Sequence, residues 1–293
     1  MIAQKKYILV VNPIAGGVDK SEIVAKVENF ALVLQISIVL YETTGIDDPQ
    51  KIQDLYTQHL PERILVAGGD GTIKMVAEAL EQYDIILAIL PAGSANGLST
   101  DLNFPPTLEE NLQIAFSDNV MNLDMLCINN IKSLHLSDIG LNAELIKNYE
   151  NSSIRGKLGY ALQAINTLTD DESPFTATIV ANRKTVETDA KMIVIANSQK
   201  YGTGVIINPQ GKMNDGKFEI VILRNLDLLV FGKIITGNMP MDTGDVEIIS
   251  AEEATITTNI PVYFQVDGEY CGEVSKLDVK IFKQHLKLAV PVT

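Results

Sequence analysis

The sequence predicts an N-terminal Rossmann-like α/β domain over residues 1–122 and a C-terminal β-sandwich-like domain over residues 123–285. Up to Phe116, apolar runs alternate with helical stretches, the order of a parallel, helix-flanked sheet. After Asn122 the texture changes to short runs in which apolar and polar residues alternate, as in half-buried antiparallel strands. Three apolar runs of the first domain also end in small-residue loops, at Asn12–Gly17, Gly68–Thr72 and Ala92–Gly97. Open parallel sheets gather their ligands at such strand ends.

Tyr7–Val11 reads as the first strand. A helix follows from Ser21 to about Phe30, with Asp19 and Glu22 at capping-box spacing. Ile36–Tyr41 is the second strand. Asp48 and Pro49 read as the N-cap and first residue of a helix to His59. Ile64–Ala67 is a strand, Thr72–Glu81 a helix and Ile85–Leu90 a strand; Thr107 and Glu110 cap a helix to Phe116. In the second domain the expected strands are Met125–Asn129, Ser133–Ile139, Phe175–Ala181, Lys191–Ala196, Lys217–Leu223, Ala254–Thr258, Val262–Val266 and Leu277–Phe282. Helices are expected near Lys157–Leu168 and Asp227–Ile235. There is no internal repeat and no low-complexity linker, so the domains are expected to be closely coupled, with the site in the cleft between them.

Composition excludes several classes. The chain of 293 residues is 46% hydrophobic, enough for real cores. Its most apolar window, Phe218–Ile235, is broken by Glu219, Arg224, Asn225, Asp227 and Lys233, so no transmembrane span is expected. The start, MIAQKKYILVVNP, reads as a strand entering a Gly loop rather than a signal peptide. With two unpaired-looking cysteines, Cys127 and Cys271, and three scattered histidines, neither a disulfide framework nor a His/Cys metal site is expected, and a reducing cytoplasm is the default compartment. The acceptor pattern Asn151-Ser152-Ser153 is then idle. A net charge of −14 argues against nucleic acid as a partner and against broad adhesion to anionic membranes.

The loops point to phosphate. Gly16, Gly17, Gly68, Gly69 and Gly71 let backbone N–H groups approach an anion with no Cβ in the way. Asn12 offers a hydrogen bond, and Thr43 and Thr72 offer hydroxyls. Asp70 would repel a phosphate unless a cation intervenes, so the charges themselves imply a metal. Plainer readings stand beside these: glycine suits any tight turn, Asp70 can cap the helix that follows, and Thr43-Thr44 can be turn residues before Gly45. Asp267 and Glu269, two apart, would share one face of a strand and act together on a metal or a proton; the alternative is an Asp-Gly β-turn. Asp124 also reads as a strand-end acceptor, and Asn214-Asp215-Gly216 as a turn.

Taken together, NPIAGG (12–17), GGDGT (68–72) and PAGSANGL (91–98) resemble the catalytic domain of the diacylglycerol kinase and sphingosine kinase-like lipid kinases. Asn122-Leu123-Asp124, Tyr201-Gly202-Thr203-Gly204, Asn208-Pro209, Asn214-Asp215-Gly216 and Val266-Asp267-Gly268-Glu269 match later motifs of that family in order, so the resemblance spans nearly the whole chain. It implies an NAD kinase/diacylglycerol kinase-like fold whose last stretch, Leu286–Val292, returns to the first domain. It implies ATP and Mg²⁺ as cofactors and a lipid hydroxyl as acceptor. It places nucleotide contacts at Asn12, Pro13, Thr43, the 68–72 loop, Ser94 and Asn96, and catalytic Mg²⁺ on Asp70. It puts Asp124 in a water-mediated metal network, and a structural Mg²⁺ on Asp215 with the carbonyls of Lys212 and Lys217. Glu269 is implied as general base beside Asp267, with Asp70 as contender.

The third motif departs from the bacterial Asn-Asp-Phe-Ala-Arg form: Asn96-Gly97-Leu98-Ser99-Thr100-Asp101 is closer to the sphingosine and ceramide kinase side, which leaves the acceptor lipid open. The lipid would be met peripherally at a membrane, through an apolar rim or a local basic patch such as Arg155 and Lys157. A homodimer stays open. The rivals are an NAD kinase, which shares GGDGT but has an Asn-Glu element not found here, and a non-catalytic nucleotide- or lipid-binding protein on the same scaffold.

Overall fold

The computed structural model describes residues 4–141, 143, 174–200, 205–225 and 244–292. The chain divides into two compact units, Met1–Leu123 with Gln284–Thr293, and Asp124–Lys283.

The first unit is a parallel α/β layer. Its strands are β1 (Lys6–Val11), β2 (Ser37–Glu42), β3 (Arg63–Gly68) and β4 (Ile86–Pro91), in the spatial order β2-β1-β3-β4. Every residue of β3 is buried, as a strand covered on both faces requires. Helices α1 (Ser21–Val33), α2 (Asp48–His59), α3 (Asp70–Ala79), α4 (Gly97–Asp101) and α5 (Leu108–Ala115) fill the crossovers. Leu9, Val27, Leu65, Leu90, Leu112 and Ala289 pack into one core. Ala289 arrives on the last strand, β14 (Glu269–Ala289), whose Lys287–Ala289 pair in parallel with Ile86–Ala88 of β4.

The second unit is antiparallel. Strands β5 (Val120–Ile128), β6 (Ile131–Ser133), β7 (Leu136–Gly140), β8 (Phe175–Ala181), β9 (Lys184–Ala190), β10 (Met192–Ala196), β11 (Phe218–Leu223), β12 (Val246–Ala251) and β13 (Glu253–Val266) precede the body of β14, in the main order β12-β11-β10-β7-β13-β14. Phe218, Phe264, Ile179, Ile193 and Ile256 centre its core. The two strands expected over 254–258 and 262–266 are one strand, β13. Its register against β14 slips between Thr257 and Val262, where Pro261 cannot donate to the ladder.

Local expectations needed correction. Asp19 makes no capping box with Glu22: its carboxylate accepts from Ser21 N (3.0 Å) and Ser21 Oγ (2.6 Å), and Lys20 holds the N-cap position. The N-cap of α2 is Asp47, in the left-handed region at φ 54°, and Asp48 turns back toward β2. Helix α3 starts two residues before Thr72, because extended Gly69 is its N-cap. Helix α4 was not expected. Thr107 does cap α5, accepting from Glu110 N (3.3 Å) while its hydroxyl donates to the Glu110 carboxylate. The helices expected near 157–168 and 227–235, the basic pair Arg155 and Lys157, Asn151-Ser152-Ser153 and the 201–204 motif lie outside the described residues.

Candidate active site

In the first unit three strand ends are laced together. Asn12 N donates to Ala67 O (2.9 Å), and Ala92 N donates to Gly68 O (2.9 Å). Asn12 Nδ2 donates to Thr72 Oγ1 (3.0 Å), while its Oδ1 accepts from Ile14 N (3.2 Å). One asparagine therefore shapes its own loop and fixes the Gly68–Thr72 loop. The third loop folds on Asn96, whose Oδ1 accepts from Gly93 N (2.8 Å) and whose Nδ2 donates to Gly93 O (3.1 Å).

The glycines have a packing role of their own. A Cβ on Gly93 would lie 2.4 Å from Gly69 Cα, so these loops meet backbone to backbone. Gly17, at φ 64°, has open space where a Cβ would stand. Pro13, Gly16, Gly17, Gly71 and Ser94 are exposed around this junction.

Asp70 does not cap α3. Its Oδ2 accepts from Gly97 N (2.8 Å) and its Oδ1 from Leu98 N (3.0 Å), so it holds the start of α4 from the start of α3. A carboxylate has about four lone-pair sites, of which two are used here, and Mg²⁺ takes one or two carboxylates plus phosphate oxygens. The donor set at Asp70 fits that ion.

Thr43 N donates to Val11 O (2.8 Å), extending the β1–β2 pairing by one residue. The turn after it is organised by Asp48, which sequence reading treated only as a cap. The buried Asp48 carboxylate accepts from Thr44 N (2.9 Å), Gly45 N (2.7 Å) and Tyr41 Oη (2.5 Å). Burial opposes its ionisation, but these hydrogen bonds outweigh it and hold the carboxyl below its usual range. Burial and the Asp48 charge push the Tyr41 hydroxyl up to about 12.

In the second unit the two acidic residues of the Asp-Gly-Glu motif do not share a strand face. Asp267 (φ 50°) and Gly268 (φ 88°) form the two-residue turn of the β13–β14 hairpin, with Val266 paired to Glu269. Two successive positive φ angles are what a type I′ hairpin needs, and Asp-Gly is a preferred pair for it. The Asp267 carboxylate accepts from Ser133 Oγ (2.8 Å), His135 N (3.0 Å) and Leu134 N (3.1 Å). Glu269 is exposed.

Asp124 is fully buried in β5, and its Oδ2 accepts from Gly216 N (2.7 Å) while its N donates to Met213 O (2.7 Å). It therefore clasps the Asn214-Asp215-Gly216 turn, where Asp215 Oδ1 accepts from Lys217 N (3.1 Å). Asp124, Asp215, Lys212 and Lys217 are thus placed on or against one loop. Sequence reading missed Asn197, which is buried after β10. Its Nδ2 donates to Asp124 O (2.9 Å) and Leu134 O (3.0 Å), and its N donates to His135 O (3.1 Å). It joins the Asp124 clasp to the segment that holds Asp267. Nothing in a lone Asn after an apolar run announces this. Among the described residues no three His, Cys, Asp or Glu side chains gather to hold a metal.

Residues 6–128 match the diacylglycerol kinase catalytic domain, and residues 138–290 match the YegS C-terminal NAD kinase beta sandwich-like domain. The chain belongs to this diacylglycerol kinase/YegS family. Within it, the chain is similar to a protein of Staphylococcus aureus (strain JH9) named "Putative lipid kinase", at 25% identity over 86% of each chain. It is also similar to an uncharacterized Synechocystis protein, at 26% identity over 97% of this chain and 70% of the other. The fold is shared with a crystal structure of a "putative diacylglycerol kinase" from Bacillus anthracis str. Sterne, with a TM-score of 0.79 and 22% identity over 98% of both chains. Among the described residues no helix is long and apolar enough to cross a membrane.

Proposed function

We propose that this member of the family is an ATP- and Mg²⁺-dependent kinase that phosphorylates the hydroxyl of a membrane lipid, working peripherally from the cytoplasm. The observation that carries the reading is the junction of the Asn12, Asp70 and Asn96 loops, with exposed backbone at Gly16, Gly17 and Gly71 beside a carboxylate. Asn12, Pro13, Gly16, Gly17, Thr43, Gly68, Gly69, Gly71, Thr72, Ser94 and Asn96 are the nucleotide-binding residues, and Asp70 holds the metal. Mg²⁺, when bound, neutralises charge on the phosphates. Glu269 is the general base toward the lipid hydroxyl: it is exposed, and among the described residues its carboxylate has no hydrogen-bond donor. Asp267, with three donors on its carboxylate, positions the Glu269 hairpin rather than moving protons. Asp124 and Asp215, with the carbonyls of Lys212 and Lys217, support a structural cation that keeps the 212–217 loop in place.

The acceptor class is a lipid alcohol, diacylglycerol or a sphingoid or related lipid. The test is transfer of labelled phosphate from ATP, with and without Mg²⁺, to a mixed-micelle panel of diacylglycerol, monoacylglycerol, sphingoid bases, ceramide and phosphatidylglycerol, with NAD alongside. Label on one lipid, lost in Asp70→Ala and without Mg²⁺, is expected. Label on NAD alone moves the chain to the nucleotide acceptors, and ATP binding with no label anywhere favours a binding protein.

A further inference from the structure

Lys20 is 4% exposed, although lysine is rarely buried without an acidic partner. Its Nζ donates to Val18 O (2.5 Å) and Ala15 O (2.6 Å). Both acceptors are neutral peptide carbonyls. Among the described residues no carboxylate forms an ion pair with it; neighbouring Asp19 turns its carboxylate to Ser21 instead. A buried ammonium whose direct partners are carbonyls is only partly compensated, here by the electrostatic influence of Asp19, and such a group costs stability.

The carbonyls it grips belong to the first glycine loop. No peptide in the described chain is cis, so the C=O and N–H of the Ala15–Gly16 peptide point opposite ways. With Ala15 O turned in to Lys20, Gly16 N–H is turned out, and Gly16 and Gly17 are exposed there. The tight turn is otherwise held by Ala15 N to Asn12 O (3.3 Å) and Gly17 N to Ile14 O (3.3 Å), both long bonds.

We propose that Lys20 is a positioning residue for the phosphates of the nucleotide: it fixes the Ala15–Gly16 peptide with its N–H outward and sets a positive charge behind the loop. The loop is then preorganised for an anion on its open side, where both the N–H dipole and the ammonium favour negative charge. This rests on the nucleotide reading given above.

The test compares wild type, Lys20→Met and Lys20→Arg by calorimetric titration with Mg-ATP, by KM for ATP, KM for lipid and kcat, and by melting without nucleotide. Wild type binds Mg-ATP. Lys20→Met is expected to raise KM for ATP about tenfold, the scale of losing one charge-assisted contact, with KM for lipid unchanged. Lys20→Arg recovers part of that loss. A merely structural lysine would lower the melting temperature and move both KM values together, which overturns the proposal, as does an unchanged KM for ATP. If Lys20→Met does not fold, Lys20→Gln keeps a donor without the charge and is read the same way; failure of both to fold makes Lys20 a folding residue and overturns the proposal. Wild type that fails to bind Mg-ATP overturns the nucleotide reading along with it, whereas binding by wild type and Lys20→Met alike overturns the Lys20 role alone.

Discussion

Asp267 and Glu269 stand two residues apart and live in different chemical settings. The first accepts three hydrogen bonds from the 133–135 segment; the second is exposed. Their replacements should therefore separate. Glu269→Gln is expected to lower kcat by about 10²–10⁴, the usual worth of a positioned base, with the melting temperature unchanged. Asp267→Asn removes an ionised acceptor and is expected to cost about 1.5–3 kcal/mol of stability, read from urea midpoints. Equal kcat losses with no stability change in either variant would contradict this division. Asp48 makes a second residue-scale prediction. Its folded pKa is depressed, so its contribution is present above the ordinary aspartate value of 3.8 and is lost as pH falls through the lower folded value. Between pH 6 and pH 3 wild type should lose more stability than Asp48→Asn, measured by urea denaturation. Sequence singled out Asp70 as a candidate; it could not reveal its bonds to Gly97 and Leu98, because a contact across so many residues is set by the fold. Asn197 was illegible for the same reason.

At the scale of elements, strands with strong apolar runs were legible almost to the residue, since β1, β3, β4 and β10 are buried over nearly their whole length. Helix α4 was not: five residues starting from Gly97 are too short to show a periodic face, and Asp70 rather than a local residue supplies the cap. The hairpin at Asp267-Gly268 was legible only as one of two readings, because Asp-Gly is a turn signal and the alternating carboxylates mimic a strand. The glycine loops are one mechanical element. Gly93→Ala would push a Cβ to 2.4 Å from Gly69 Cα, backbone against backbone, which no side-chain rotation relieves. This variant is expected to weaken ATP binding at least tenfold and to lower the melting temperature, whereas Gly17→Ala, with open space around its Cβ but φ at 64°, costs only about 1 kcal/mol of strain. Isothermal titration and thermal melts on the pair check the contrast.

Across the whole molecule, the change of texture after Asn122 was legible because parallel and antiparallel strands bury their faces differently. The length of β14 was not. Its middle alternates buried Leu277 and Val279 with polar residues, as a half-buried strand does, whereas Leu286, Leu288 and Ala289 are buried in the first unit, so one strand serves two cores. The consequence for expression is direct: a fragment ending at Leu123 lacks the strand that pairs with Ile86–Ala88 and leaves that edge bare. Such a fragment is expected to aggregate, and a peptide of residues 284–292 added during refolding should restore a soluble, ATP-binding species; size-exclusion chromatography and titration read the result. During synthesis the same geometry imposes an order of events. The unit made first cannot complete its sheet until Lys287–Ala289 have left the ribosome, so it is finished only after the other unit has been translated. The Lys287–Ala289 strand thus works as a clock, withholding a complete parallel sheet from any chain whose translation stops before it.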